Sequence, residues 1–163
     1  MGDYLTAPLP EHDLALLVYL DHCALSPADR HQLLLRVRDR MRAGGHLLVD
    51  LQAPAHYATV TAGCTIEDRL VDGFWAPGLY VGVHQTLRYD AEQVALDRYV
   101  LVEPDRIRTV HVWTAHLDLD QATAEFAVAG FRVVEVLGDV AGGAYDPDAP
   151  EYAVVMTPTA ATA

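Results

Sequence analysis

Three histidines, His22, His84 and His111, are placed for acid–base chemistry. His22 follows Asp21 at the end of an apolar run, and His84 and His111 fall on alternating segments rich in aromatic residues. An imidazole exchanges protons near neutral pH, and a buried one needs a hydrogen-bond partner, so each is either a site residue or a satisfied core residue. Phe74, Trp75, Tyr80 and Trp113 accompany the second pair as candidates to line a pocket, with Tyr57 a weaker one. The competing reading is ordinary β-sheet core, which aromatic residues favour. His111 and His116 stand five residues apart on one strand and point to opposite faces, so no metal site is expected. The sequence holds no GxGxxG, no GxxxxGKS or GxxxxGKT, and no GxSxG, which leaves phosphate-cradling loops and a serine elbow without support.

The elements that must position these residues are organised around His12–Leu51. Leu14–Leu20 (LALLVYL) is a continuous apolar run, which predicts a strand covered on both faces of a parallel α/β sheet. Ser26 as N-cap, Pro27 at the first helical position and Asp29 at the third predict a helix running to about Met41. Leu34, Val37 and Met41, with Leu33 beside them, form its apolar face, while Arg36, Asp39 and Arg40 turn to water. Gly44–Gly45 is expected to end the helix, and His46–Leu51 to be the next buried strand. In such a right-handed crossover both carboxyl ends lie on one edge of the sheet, where open α/β sheets bind ligands. Asp21, His22 and Cys23 follow the first strand and Asp50 closes the second; Asp21 and Asp50 are either site residues or polar loop residues.

Pro54–Val60 has room for one or two helical turns. From Thr65 to His116 the period changes to two and predicts an antiparallel meander, with strands at 65–71, 79–89, 93–103 and 106–116. A helix from Asp118 or Asp120 to Gly130, strands at 131–137 and 151–156 and a frayed Thr/Ala tail complete the chain. The reading is one domain over 1–163: a β-α-β unit at 1–60, the meander at 65–116, and a helix with the final strands at 118–156.

The 163 residues, 52% of them hydrophobic, suit one globular domain that buries roughly two-thirds of its unfolded surface. A formal net charge of −12 argues against nonspecific binding to nucleic acid or anionic membranes, which needs basic surface. No apolar run is long enough to span a bilayer, and the first residues lack a basic-then-apolar signal pattern. Two isolated cysteines, Cys23 and Cys64, point to a reducing compartment, read as cytoplasmic.

The order of elements resembles the second half of a class I S-adenosylmethionine-dependent methyltransferase. The likeness is carried by GDY at 2–4, the segment at 12–51, DGFW at 72–75 and AGFRVVEVLGDVAGGAYD at 129–146, and it covers nearly all of the chain. It implies a partial Rossmann-like sheet of parallel strands with crossover helices, joined to an antiparallel meander. It places Asp3 near the adenine amino group, Tyr4 beside the ring, and Leu20, Asp21 and His22 under the methionine part of S-adenosylmethionine and next to the acceptor. It makes the meander, with Trp75, Tyr80, His84, His111 and Trp113, the cap over a small-molecule acceptor. His22 or His84 would supply a base where methyl transfer needs one.

The resemblance also implies a Gly-rich turn and an acidic ribose binder upstream of the segment that this sequence matches. Cofactor binding is therefore expected to be weak or dependent on a partner, as in a truncated enzyme. The strand at Leu14–Leu20 would lose a neighbour, and a bare apolar edge is an aggregation liability. Its edge is expected to be covered by a second copy, by a separate polypeptide or by a rearranged segment. Two alternatives accompany methyl transfer: a methyltransferase-derived enzyme doing cyclisation or elimination by acid–base chemistry, and a non-catalytic binding domain.

Overall fold

The computed structural model describes residues 3–159. Gly2 and the tail from residue 160, where fraying was expected, lie outside the described residues. In chain order the elements are β1 (His12–Leu17), α1 (Asp21–Ala24), α2 (Pro27–Arg40), β2 (Met41–Gln52), α3 (Pro54–Tyr57), β3 (Gly63–Asp68), β4 (Val81–Tyr89), β5 (Val94–Val102), β6 (Ile107–Ala115), α4 (Leu119–Val128), β7 (Phe131–Leu137) and β8 (Glu151–Pro158). They fall into two compact units, Met1–Ala58 with His116–Ala163, and Thr59–Ala115. No helix among the described residues is long and apolar enough to cross a membrane.

The first unit is a four-stranded sheet in the order β1-β2-β8-β7, with β1 and β2 parallel and the other pairs antiparallel. Its two longer helices, α2 and α4, start where side chains satisfy free backbone donors. Ser26 Oγ accepts from Asp29 N at 3.2 Å, with Pro27 at the first position of α2. Asp118 and Gln121 form a reciprocal capping box on α4, at 2.7 and 3.0 Å. Leu47, Val49 and Leu51 of β2 alternate inward and meet Val154 and Met156 of β8, Leu34 of α2, and Phe126 of α4.

Two local expectations are corrected. The apolar run does not form a strand covered on both faces: β1 stops at Leu17, and among the described residues it pairs only with β2. Ala15 and Leu17 pack on the core, while Leu14 and Leu16, on the other face, are 58% and 59% exposed. Composition marks an apolar strand but does not say whether its neighbour is present. Nor does Gly44–Gly45 end α2. Met41 is already extended and pairs with His12, so the glycines lie inside β2. There Gly44 takes φ +80°, and the register slips between the His12–Met41 and Leu14–His46 pairs, as at a bulge.

The second unit is the antiparallel meander β3-β4-β5-β6. Leu70, Ala76, Tyr80 and Leu101 make its small core, with Trp75 and Tyr99 against them. Gly82 lets Leu70 lie directly on the sheet, since a Cβ there would sit 2.5 Å from the Leu70 Cβ. A Gly82→Ala variant is expected to lose about 1–3 kcal/mol through overpacking. Thermal unfolding checks this, and an unchanged midpoint would contradict it.

Candidate functional site

The carboxyl ends of β1 and β2 meet at a strained turn. Tyr19 and Leu20 both take left-handed backbone angles, φ 69° and 63°, a conformation that side chains disfavour. Asp50, at the end of β2, holds them: Tyr19 N donates to Oδ2 at 2.9 Å and Leu20 N to Oδ1 at 2.8 Å. Asp50 is thus the anchor of the turn that delivers Leu20 and Asp21 to this edge. Tyr4 comes to the same place. Burial first, and then the carboxylates of Asp21 and Asp3, push its hydroxyl above the ordinary tyrosine value.

Tyr4, Tyr19 and Asp21 border a cleft of about 510 Å³ that runs along β1, with Leu14, Leu17 and Leu34 among its apolar walls. The segment bearing Tyr4 is fastened by Arg36, whose guanidinium donates to the carbonyls of Tyr4, Leu5 and Ala7 rather than turning to water. Asp3 serves its own turn, where its carboxylate accepts from Leu5 N at 2.8 Å. The structure therefore brings Tyr4 and Asp21 together at this cleft, holds Leu20 on Asp50, and engages Asp3 locally.

His22 points inward. It is fully buried, its ring lies 5.3 Å from that of Phe126, and Nε2 stands 3.2 Å from Glu125 Oε1. Arg30 clasps the same carboxylate with two hydrogen bonds, at 2.7 and 3.0 Å, and donates to the Leu25 carbonyl at 3.0 Å. Burial pushes the His22 imidazole below its ordinary value although Glu125 opposes this. Burial raises the Glu125 carboxyl, but the close His22 imidazole and the Arg30 hydrogen bonds and charge outweigh it and bring it down to about 2. The neighbouring Cys23 thiol is pushed up to about 11 by burial while its sulfur accepts from Gln52 N at 3.3 Å.

One pair escaped the sequence reading. His56 Nδ1 and His116 Nε2 lie 3.0 Å apart with stacked rings, and Tyr57, itself buried, packs its ring 5.1 Å from that of His116. The partners stand 60 residues apart, and no local periodicity relates them.

In the second unit the register divides the predicted pocket in two. His84 lies opposite Tyr99, which lies opposite Val110, so His84 and Tyr99 share a face. His111 lies opposite Arg98, and Trp113 opposite Leu96, on the other face. The six residues proposed from sequence therefore do not line one pocket: Trp75 and Tyr80 go with His84, whereas His111 and Trp113 do not. Tyr80 is core, its hydroxyl donating to the Leu70 carbonyl at 2.5 Å.

The His84 face holds a connected cluster. His84 Nε2 is 2.7 Å from Asp97 Oδ1, and Thr86 Oγ1 donates to the same oxygen at 2.6 Å. The imidazole stacks on Tyr99 at 4.4 Å and 7°, and Tyr99 in turn packs on Trp75 at 4.6 Å. Asp97 and Tyr99 were missed. The alternation of 93–103 carried the signal, but only the register shows which strand they face. Among the described residues no three metal-ligating side chains converge.

No family model matches the sequence, and no curated protein does. Solved structures do. The chain is similar to the CcbJ methyltransferase from Streptomyces caelestis over 98% of its length, with TM-score 0.70 and 16% identity. It is similar to an S-adenosylmethionine-dependent methyltransferase from Clostridium acetobutylicum over 97%, with TM-score 0.68 and 7% identity. An amino pentose methyltransferase from Micromonospora echinaspora, with S-adenosylmethionine bound, matches over 97% with TM-score 0.54 and 17% identity. The chain spans 63% of the length of each. The fold is therefore that of S-adenosylmethionine-dependent methyltransferase structures, as the order of elements led one to expect.

Proposed function

We propose that this chain is the acceptor-handling part of an S-adenosylmethionine-dependent methyltransferase for small molecules. The observation that carries the reading is the strained turn at the carboxyl ends of the parallel pair β1 and β2, which sets Asp21 beside Tyr4 at the cleft. Open α/β sheets place ligands at that edge. The residues present fit part of the cofactor: the Tyr4 ring and apolar walls suit an adenine, and Asp21 suits an amino group. When bound, S-adenosylmethionine supplies a methyl group activated on a sulfonium. The amino pentose acted on by one structural neighbour supports a small polar acceptor. Within the second unit, Trp75 and His84 are the side chains we assign to that acceptor.

The open edge of β1 and its exposed Leu14 and Leu16 support a further strand seated there, from a second copy or another polypeptide. A monomer in solution with this edge bare would contradict it.

Calorimetric titration with S-adenosylhomocysteine tests the reading, with the oligomeric state measured in the same buffer. Binding in the micromolar range, near −8 kcal/mol, is the expected result for an assembly that completes the site. No heat at millimolar concentration would refute methyl transfer by this chain in that assembly. The second reading, acid–base chemistry without a methyl donor, is favoured by the His84–Asp97 pair and would then take its place.

A further inference from the structure

The small core of the meander lies on one face of its sheet, where Leu70 rests on Gly82 and Leu101 stands opposite Gly82. The other face carries two apolar rows. Val81, Val102 and Ile107 stand opposite one another across β4, β5 and β6, and Ile66, Val83 and Val100 form the next row across β3, β4 and β5. Ile66 and Ile107 are 69% and 70% exposed, and Val81 and Val102 are 38% and 41% exposed. A contiguous apolar patch on a sheet face marks an interaction surface.

Two opposite charges sit at opposite corners of this patch. Asp68 ends the first row on β3, opposite Val81. Arg98 lies on β5 one row beyond Val100, in a polar belt with Gln85 and His111 that closes the patch. Both residues are exposed, and among the described residues neither has an ion-pair partner. Residues 59–115 carry eight acidic residues and five arginines, a net −3 of the chain's −12, so two copies repel least through this unit.

The register fixes where these groups stand in plan, with strands about 4.8 Å apart and successive same-face residues about 6.8 Å apart along a strand. In that plan a two-fold axis running diagonally through Val83 and Ile107 lays Asp68 over Arg98 of a second copy, and Arg98 over Asp68 of that copy. The same rotation sets Val81 over Val100, Val102 between Ile107 and Thr109, and Ile107 on its own equivalent. The strands of the two sheets then cross at roughly 70°, toward the orthogonal class of sheet packing. Within the patch no like charges meet.

We propose that this apolar face of the meander docks a second copy of the chain, closed by reciprocal Asp68–Arg98 ion pairs across a two-fold axis through Val83 and Ile107. The contact depends neither on the methyltransferase reading nor on the edge of β1. Its rows cover only part of the sheet face, less than the roughly 800 Å² per partner of a standard interface, so the association is transient, with a dissociation constant on the order of 10–100 μM.

Sedimentation of the full chain, over concentrations from about tenfold below to tenfold above that range, tests it. Wild type is expected to move from monomer to dimer. Asp68→Arg and Arg98→Asp should each weaken the dimer about tenfold, because each turns two attractions into two repulsions. The two changes together should bring the constant back to within about threefold of wild type, since the reversed pair is again complementary. Asp68→Arg also lowers the net negative charge, so general repulsion by itself would strengthen association, and a weakening belongs to the pair. Ile107→Asp, which meets its own equivalent on the axis, should abolish the dimer, and Leu16→Asp on β1 should leave it intact. Asp68, Arg98 and Ile107 are all exposed, so these variants keep the fold.

A chain that stays monomeric throughout would overturn the proposal and leave the patch to a different partner. So would charge variants that associate like wild type, or a double variant no tighter than the single ones. A dimer lost in Leu16→Asp and kept in Ile107→Asp would move the contact to β1 and refute it as well. No cofactor is present, so the outcome is separate from the titration with S-adenosylhomocysteine.

Discussion

A Glu125→Ala variant is expected to lose about 3–5 kcal/mol of folding stability, because it strips the partner from a buried cation. Arg30 is 5% exposed, and its guanidinium spends two of its donors on Glu125. His22, fully buried, turns its Nε2 to the same carboxylate. Replacing such a pair whole by apolar groups often costs little, but breaking it from one side leaves a desolvated charge behind. Glu125→Gln keeps the shape and an acceptor and is expected to fall between wild type and alanine. Urea unfolding at constant m-value measures both, and an alanine variant within 1 kcal/mol of wild type would refute the account.

The pH dependence follows from the same triad. The Glu125 carboxyl is held at about 2 against an ordinary 4.5, so its contribution is complete above pH 4.5 and is lost as pH falls toward 2. That is roughly 3 kcal/mol at 1.36 kcal/mol per unit. The His22 imidazole is also depressed, from 6.5, so its neutral burial stabilises above pH 6.5 and becomes a burden as pH drops below it. Both effects weaken the fold toward acid. The stability gap between wild type and Glu125→Gln should therefore narrow between pH 4.5 and 2, and a gap that stays constant or widens there would contradict the assignment.

The second large effect is expected at Asp50. Asp50→Ala removes the acceptor of both Tyr19 N and Leu20 N, each a charge-assisted hydrogen bond. Two left-handed residues without glycine then lose the contact that compensates their conformation. The turn is free to relax, and the exposed Tyr19 amide regains water, so the net loss is about 2–4 kcal/mol rather than the sum of two full bonds. Leu20→Gly relieves the left-handed strain, by about 1 kcal/mol. In the Asp50→Ala background it should recover part of the loss, whereas in wild type the glycine also gives up a side chain. A double-mutant cycle reads the coupling. If Leu20→Gly and Asp50→Ala add without coupling, the turn is not what Asp50 supports. Under the proposed function, Asp50 also holds the turn that presents Asp21, and the variant is then expected to weaken S-adenosylhomocysteine binding.

The periodicity and caps were enough to order the elements. Ser26 and Asp118 start their helices where expected, and the strand at Phe131–Leu137 has the boundaries read from the pattern. The meander strands came within a few residues of their observed limits, because alternation is a property of the strand itself. The exits were harder to see. Gly44–Gly45 has the chemistry of a helix stop, yet β2 begins before it, since pairing of Met41 with His12 overrides the local signal.

Sequence alone determined the type and order of the main strands and helices, to within a few residues for most, and the likeness of the fold, because caps, turns and hydrophobic periods act over a few residues. Tertiary structure alone decided what each candidate does. Register set His84 beside Asp97 and Tyr99 and sent His111 and Trp113 to the opposite face. Packing turned His22 into the partner of Glu125, and Asp50 into the clamp on a strained turn 30 residues away. These contacts join residues distant in the chain, and a side chain's role depends on the partner it meets, which no local pattern encodes.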